Sequence, residues 1–297
     1  VNPTSRAFAP LDFLQLLSIA LIWGVNNILA KIAIDALPPM MMAGLRFSIV
    51  LVLLAVWLRP PPKGRWPLFF AMLACIGPLH FAIQSIGLKL ATEMPPMIVA
   101  MQLWAPASVM FAALLLGERV SPLRWAGVLI AFVGAASMTF DPAVFAQGWA
   151  LVLVALASAF YGLGTVLVRK LGGGLDPWAT QAWIALVAAP TLLLSSATFE
   201  RGHIEAAQAA HWSIWLFIAF GAIVSSIVAN AFMFKLVQKY EVSRTTPYLL
   251  LTPVISFALA VLILHDTITW RILAGAALTM SGVALVALAE RRLTAKA

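Results

Sequence analysis

The chain has 297 residues, of which 63% are hydrophobic and only 10% charged, against about 25% charged in an ordinary soluble protein. That balance excludes a water-soluble domain of any size. A formal net charge of +8 on a soluble chain would point to nucleic acid, but here it is read loop by loop as a topology signal and no nucleic-acid partner is expected.

A helix needs about 20 mostly apolar residues to cross the hydrocarbon. Ten such runs lie between polar or proline-containing breaks, at 12–34, 38–58, 67–90, 95–116, 122–140, 148–170, 177–199, 212–238, 244–264 and 270–289. The expected fold is therefore an all-α integral membrane protein with the lipid bilayer as its solvent. Residues 1–11 read as a short N-terminal segment and 290–297 as a C-terminal tail. The first run lacks a small-residue cleavage pattern, so it is taken as a retained helix. Cys75 is the lone cysteine, which rules out an internal disulfide. With residue 1 in the cytoplasm, most of the nineteen Lys and Arg fall in cytoplasmic loops, among them Arg59, Lys63 and Arg65, so both termini are expected there. Trp57, Trp66, Trp149, Trp212 and Trp270 lie near helix ends, where indole favours the interface; Trp23, Trp104 and Trp183 are placed deeper.

In the first run, Asn26 and Asn27 sit at about half depth, where a buried amide needs partners. Adjacent helical positions point about 100° apart, so one is expected to hold a neighbouring helix and the other to reach a cavity. Lys31 is read as snorkelling to the far face, with a substrate carboxylate as its alternative partner. Arg46, eight residues into the second run, is expected to pair with backbone carbonyls or a polar side chain in a structural role. His80 and Gln84 share a face of the third helix, and His80 is the one mid-membrane group whose ordinary pKa lies near neutrality. Pro106 and Pro253 sit well inside the fourth and ninth runs. Each removes a donor and disturbs the carbonyl four residues earlier, at Gln102 and Leu249, so both helices are expected to kink and serve as gates or hinges. Gln102, Trp104, Tyr248 and Thr252 near the kinks offer amide, aromatic and hydroxyl contacts to a small zwitterion. Ser226 and Asn230 stand in the eighth run as His80 and Gln84 stand in the third. Every carboxylate falls at a helix end or in a loop, no metal or cofactor motif is seen, and no catalytic residue is assigned.

The halves resemble each other. WGVNNILAKIAIDALPP (23–39) aligns with YGLGTVLVRKLGGGLDP (161–177), and GERVSPLRWAGVLIAFVG (117–134) with HDTITWRILAGAALTMSG (265–282). Each half holds five spans, 12–140 and 148–289. Five is odd, so the second unit enters from the opposite side, as an inverted repeat. Ser121 is suited to cap the fifth helix, with Pro122 at its first position, and Thr269 to cap the tenth. Gly127 and Gly134, like Gly275 and Gly282, are spaced for close helix packing.

The opening WGVNN with Lys31 downstream, the LPPMMMAGLRF entry to the second helix, the GERVSPLRWAGVLIAFVG block and KYEVSRTTPYLLLTPV together resemble the EamA branch of the drug/metabolite transporter superfamily. The likeness covers roughly residues 12 to 290. His265-Asp266 departs from the Gly-Glu pattern kept at Gly117-Glu118, which weighs against a ligand role for that acid. The resemblance implies a carrier of the bacterial inner membrane working without ATP, similar to YddG-type aromatic amino-acid exporters and cysteine/O-acetylserine exporters. The helices before each acidic turn would line a cavity, and the fifth and tenth would be peripheral. The expected function is export of amino acids and related small metabolites, aromatic and other neutral amino acids among them, by alternating access and as a monomer. Efflux of lipophilic drugs or other metabolites is the second transporter reading. An intramembrane hydrolase lacks a serine-base pair, a zinc motif or paired embedded aspartates, and a receptor or scaffold would show no solute flux.

Overall fold

A computed structural model describes residues 9–60, 64–117, 120–141, 144, 147–171, 175–239, 249 and 251–294. Among these the chain is helical almost throughout. Seven helices are long and apolar enough to cross a membrane: α1 (Pro10–Ala36), α2 (Pro39–Trp57), α3 (Trp66–Leu90), α4 (Met94–Leu116), α6 (Gly148–Leu171), α7 (Pro177–Phe199) and α8 (Trp212–Met233). Three have shorter apolar stretches: α5 (Pro122–Ser137), α9 (Leu251–Leu264) and α10 (Trp270–Thr294), the last apolar over Trp270–Val286. The turn containing Glu118 and Arg119 lies outside the described residues.

Local signals in the chain set these boundaries. Proline occupies the first or second position of α1, α2, α3, α5 and α7, where its missing N–H is one the helix leaves unpaired anyway. Ser121 accepts from Arg124 N at the start of α5, Asp176 accepts from Trp178 N and Ala179 N at the start of α7, and Thr269 accepts from Ile272 N at the start of α10. Gly117 leaves α4 at φ 65. His265, its counterpart after α9, adopts the same left-handed conformation at φ 58, which costs a residue with a Cβ about 1 kcal/mol or more.

The halves interlock. α2 packs along α7, α3 and α4 pack on α6, α1 lies against α8 and α9, and α5 pairs with α10. The α5–α10 seam is backbone on backbone. A Cβ on Gly127 would lie 2.8 Å from the Gly282 carbonyl oxygen, and one on Gly275 would lie 3.0 Å from that of Gly134. All four glycines of the duplicated block thus meet in one strip. Val52, Val56, Leu114 and Leu262 are among the most exposed side chains of the bundle, as expected of an outer surface solvated by lipid.

One face, here called distal because α1 ends there, carries dense polar ties. Lys31 Nζ donates to Asp35 Oδ1 at 2.7 Å, Leu88 O at 2.9 Å and Ala91 O at 2.7 Å. Lys89 Nζ donates to Ile34 O and Asp35 O, both at 2.8 Å. The two lysines therefore cap the C-terminal ends of each other's helices. Between the halves, Glu200 accepts from Met40 N and Met41 N, Asp266 from Met94 N, Glu93 from Thr267 N, and Asp141 from the Thr269 hydroxyl. On the opposite, proximal face, Arg59 pairs with Asp176 at 3.2 Å, Arg65 Nη1 donates to Leu171 O, and Trp183 Nε1 donates to Arg59 O. Trp183, nearly two turns inside α7, thus reaches the chain just beyond the end of α2.

Two helices contain wide π-helical turns that the sequence reading did not anticipate. They lie at Cys75–Leu79 in α3 and at Gly221–Ala229 in α8, and they begin at aligned positions of the two repeats. Pro78 within the first turn accounts for it locally, since proline cannot join the regular ladder. The second contains no proline. A third, at Ala260–Leu264, ends α9.

Candidate functional site

A cavity of about 30 Å³ lies between α1, α2, α3 and α4, room for about one water. Asn26, Asn27, Arg46, Gln84 and Ser85 are its polar walls, and Met42, Phe81, Leu88 and Met101 are among its apolar ones. Arg46 sits seven residues beyond Pro39, so it is about 10 Å along the axis from the distal end of α2.

The guanidinium is buried and its contacts are few. Nε and Nη2 both donate to the Ser226 hydroxyl, at 3.1 and 2.8 Å, and Cζ lies 5.3 Å from the Phe81 ring centroid. Ser226 is held out to it by the π-helical turn of α8. Asn26 approaches the same turn: a Cβ at Gly221 would lie 3.1 Å from Asn26 Oδ1 and 3.5 Å from Arg46 Nε. Gly221 thus keeps α8 close enough for Ser226 to reach Arg46.

The other sequence-predicted residues are distributed as follows. Asn27 does two things: besides lining the cavity, its amide donates to Ser256 Oγ at 3.1 Å, and Ser256 Oγ donates to Gly24 O at 3.2 Å, tying α1 to α9. His80 Nδ1 donates to Ala157 O at 2.8 Å, since a carbonyl can only accept. Its ring packs against Phe81 and Tyr161, and Tyr161 meets Trp104 edge-on at 5.8 Å. His80 and Trp104 therefore belong to an aromatic group on the α6 side of the cavity and are not among its lining residues. Asn230 donates to Ser226 O within its own helix. Thr252 Oγ1 is buried and has no hydrogen-bond partner among the described residues.

The break in α4 falls where Pro106 disturbs the ladder. Helix geometry is lost at Gln102–Leu103, and the Gln102 carbonyl is taken up by Ala105 N at 3.3 Å. The matching break expected before Pro253, with Tyr248 beside it, lies outside the described residues. Lys31 does not snorkel: it is buried, with a carboxylate and two carbonyls around its ammonium. Arg46 meets a polar side chain, Ser226, one of the two kinds of partner expected of it. Phe81, next to His80, carried no signal of its own beyond being aromatic.

Chemically, the arrangement can bind and orient a small polar solute. Amides supply both donors and acceptors, the guanidinium supplies a fixed positive charge, and the thioethers and Phe81 supply adaptable apolar contact. Among the described residues no group of three or more metal-ligating side chains comes together.

The model of the EamA-like transporter family matches residues 12–140 and again 148–288, so the chain belongs to that family. A "Probable amino-acid metabolite efflux pump" of Salmonella typhimurium is 28% identical over 91% of this chain and 92% of its own. A protein of the same description from Escherichia coli strain K12 is 28% identical over 92% of this chain and 93% of its own. The "Uncharacterized transporter YvbV" of Bacillus subtilis is 28% identical over 96% and 92%. A protein of known crystal structure, 22% identical, aligns over 96% of this chain and 99% of its own with a TM-score of 0.64, a likeness of fold.

Proposed function

We propose that this EamA-family membrane protein exports amino acids and related small metabolites across the bacterial inner membrane, with aromatic and other neutral amino acids in its range. The observation that carries the reading is the cavity walled by Asn26, Asn27, Gln84 and Arg46 within the first five-helix unit, tied to the second through the bond from Arg46 to Ser226. In the conformation described the cavity holds about one water; once it widens, a few convergent polar groups in an otherwise apolar site orient a ligand and leave room for varied side chains. The similar efflux pumps of Salmonella and Escherichia coli support the same substrate class.

Alternating access follows from the repeat. Two similar halves can exchange conformations, opening the site to one face and then the other. In this structure the distal ties between halves, such as Asp266 to Met94 N and Glu200 to Met40 N, are formed, so opening to that face requires breaking them. The interruption of α4 at Gln102–Leu103 and Pro253 within α9 make α4 and α9 the moving parts of this scheme. His80, Gln102, Trp104, Tyr248, Ser226 and Asn230 join the site as it widens. The termini lie in the cytoplasm and the monomer is the working unit. Substrate gradients alone drive flux, since the described carboxylates of the spans, such as Asp12 and Asp35 of α1, stand in the end turns and none at mid-depth.

Purified protein in lipid vesicles, preloaded with one unlabelled neutral amino acid and offered labelled leucine, phenylalanine or threonine, should show counterflow that an imposed pH gradient barely alters. Organic cations should not compete. Flux of lipophilic cations with none of amino acids would replace this reading with drug efflux.

A further inference from the structure

A buried cation in a membrane protein is ordinarily neutralised. Lys31 is, through Asp35 and two carbonyls. Among the described residues Arg46 has a hydroxyl and an aromatic face. Neither carries a unit negative charge, and among the described residues no carboxylate comes within ion-pair distance of it. The described carboxylates, from Asp12 to Asp266, stand at helix ends or in connections. A charge held at depth without a counter-charge is costly, and stability alone gives no reason for an arginine at this position.

The geometry of the guanidinium shows what is missing. Arginine offers five N–H donors in a planar fork. Ser226 Oγ takes the Nε and Nη2 donors on one edge, while Nη1 meets no acceptor among the described residues and the side chain forms part of the cavity wall. A fork with one edge anchored and the other turned to a polar cavity matches the two oxygens of a carboxylate. Asn26 and Gln84 on the same wall add neutral amides, whose oxygens can accept from an ammonium without presenting a charge of their own.

We propose that Arg46 is the carboxylate-binding residue of the central cavity and that Ser226 positions it. The proposal rests on the reading of the chain as a carrier of small metabolites, and it specifies what they share. The site selects for a carboxylate and is indifferent to a positive charge, so the ammonium group of an amino acid is tolerated and not required. A 2-oxo acid is then also a ligand, while an amino acid amide or a lipophilic cation meets an unneutralised guanidinium and is rejected. The Ser226 contact arises across the two repeats, so exchange between conformations that shifts α8 against α2 changes the angle of the fork. Substrate affinity is thereby linked to the state of the carrier.

The test is ligand binding to purified full-length protein, read by quenching of its tryptophan fluorescence. The probes are leucine, phenylalanine and threonine, each with its carboxamide and its 2-oxo acid. The wild type should bind acids and 2-oxo acids and discriminate against the carboxamides by about tenfold or more. Arg46→Gln should lose that discrimination, Arg46→Lys should keep part of it, and Ser226→Ala should weaken both acid series together. Equal binding of acid and carboxamide by the wild type overturns the proposal even if Arg46→Gln does not fold. So does unchanged discrimination in a folded Arg46→Gln, or no binding of any probe. Arg46-dependent binding of 2-oxo acids without amino acid counterflow would uphold the carboxylate site while removing the amino acid reading.

Discussion

Lys31 and Arg46 are both cations held inside apolar helices, yet their surroundings differ in kind. Around Lys31 the chain ends of α1 and α3 converge, and every ammonium hydrogen has an acceptor that is either charged or strongly dipolar. Around Arg46 the helices pass without ending, so their carbonyls are committed to their own ladders. It receives a hydroxyl and a ring. The distal face thus spends its charge on holding helix ends together, while the centre keeps a charge that no described acid balances. Position along a helix, more than residue type, decides which acceptors a cation finds.

Substitutions at these two sites test the contrast most directly. Lys31→Met leaves Leu88 O and Ala91 O unpaired and should cost about 3 kcal/mol of stability, measured as thermal unfolding in detergent. Arg46→Gln removes an uncompensated charge and should cost less than about 1 kcal/mol. If Arg46→Gln proves as destabilising as Lys31→Met, the two cations are alike and the distinction fails. A smaller effect is expected between the two regions, at the α1–α9 tie. Ser256→Ala deprives Asn27 of its partner and should lose about 0.6 kcal/mol, the usual worth of an interhelical hydrogen bond in a membrane. No loss at all would free Asn27 to act only at the cavity.

The smallest effect is confined in pH. Burial raises the pKa of the Asp266 carboxyl above its ordinary value, with the Glu93 charge adding and the Met94 N–H opposing. The folded state therefore holds this proton more tightly than the unfolded one. Its contribution is fully present below the ordinary carboxylate pKa of about 3.9 and is lost as pH rises through the raised value. Thermal unfolding followed from about pH 4 to 7 should show that decline in the wild type and a flatter profile in Asp266→Asn. A steeper decline in the variant would reverse the assignment and make the ionised form the one that secures the distal face.

Much of this was legible in the sequence because membrane helices obey simple rules. Length and apolarity marked the spans, Pro106 marked the break at Gln102, and the spacing of Gly127, Gly134, Gly275 and Gly282 implied a close seam. That the two glycine pairs face each other, one from each repeat, required the fold. The π-helical turns were not legible, since Gly221–Ala229 holds no proline and its ladder is set by what packs around it. Nor did the sequence separate His80 from Gln84. Four residues apart, they share a face, yet the ring of one is drawn to Ala157 O while the other borders the cavity. The depth of Arg46 was legible, but that no described acid stands beside it is a property of three dimensions.

The π-helical turn in α3 has a further consequence for register. Each residue of an α-helix turns the chain by about 100°, so one residue accommodated in a wide turn swings everything beyond it by about that angle relative to a straight helix. Gln84 and Ser85 lie beyond the turn, Phe69 and Met72 before it. α3 therefore presents its apolar half to the core near Trp183 and its polar half to the cavity, two directions that one uninterrupted helical face would not serve. Tightening Cys75–Leu79 into an α-turn would act as a rotary switch, turning the amide and hydroxyl off the cavity wall with little movement along the membrane normal.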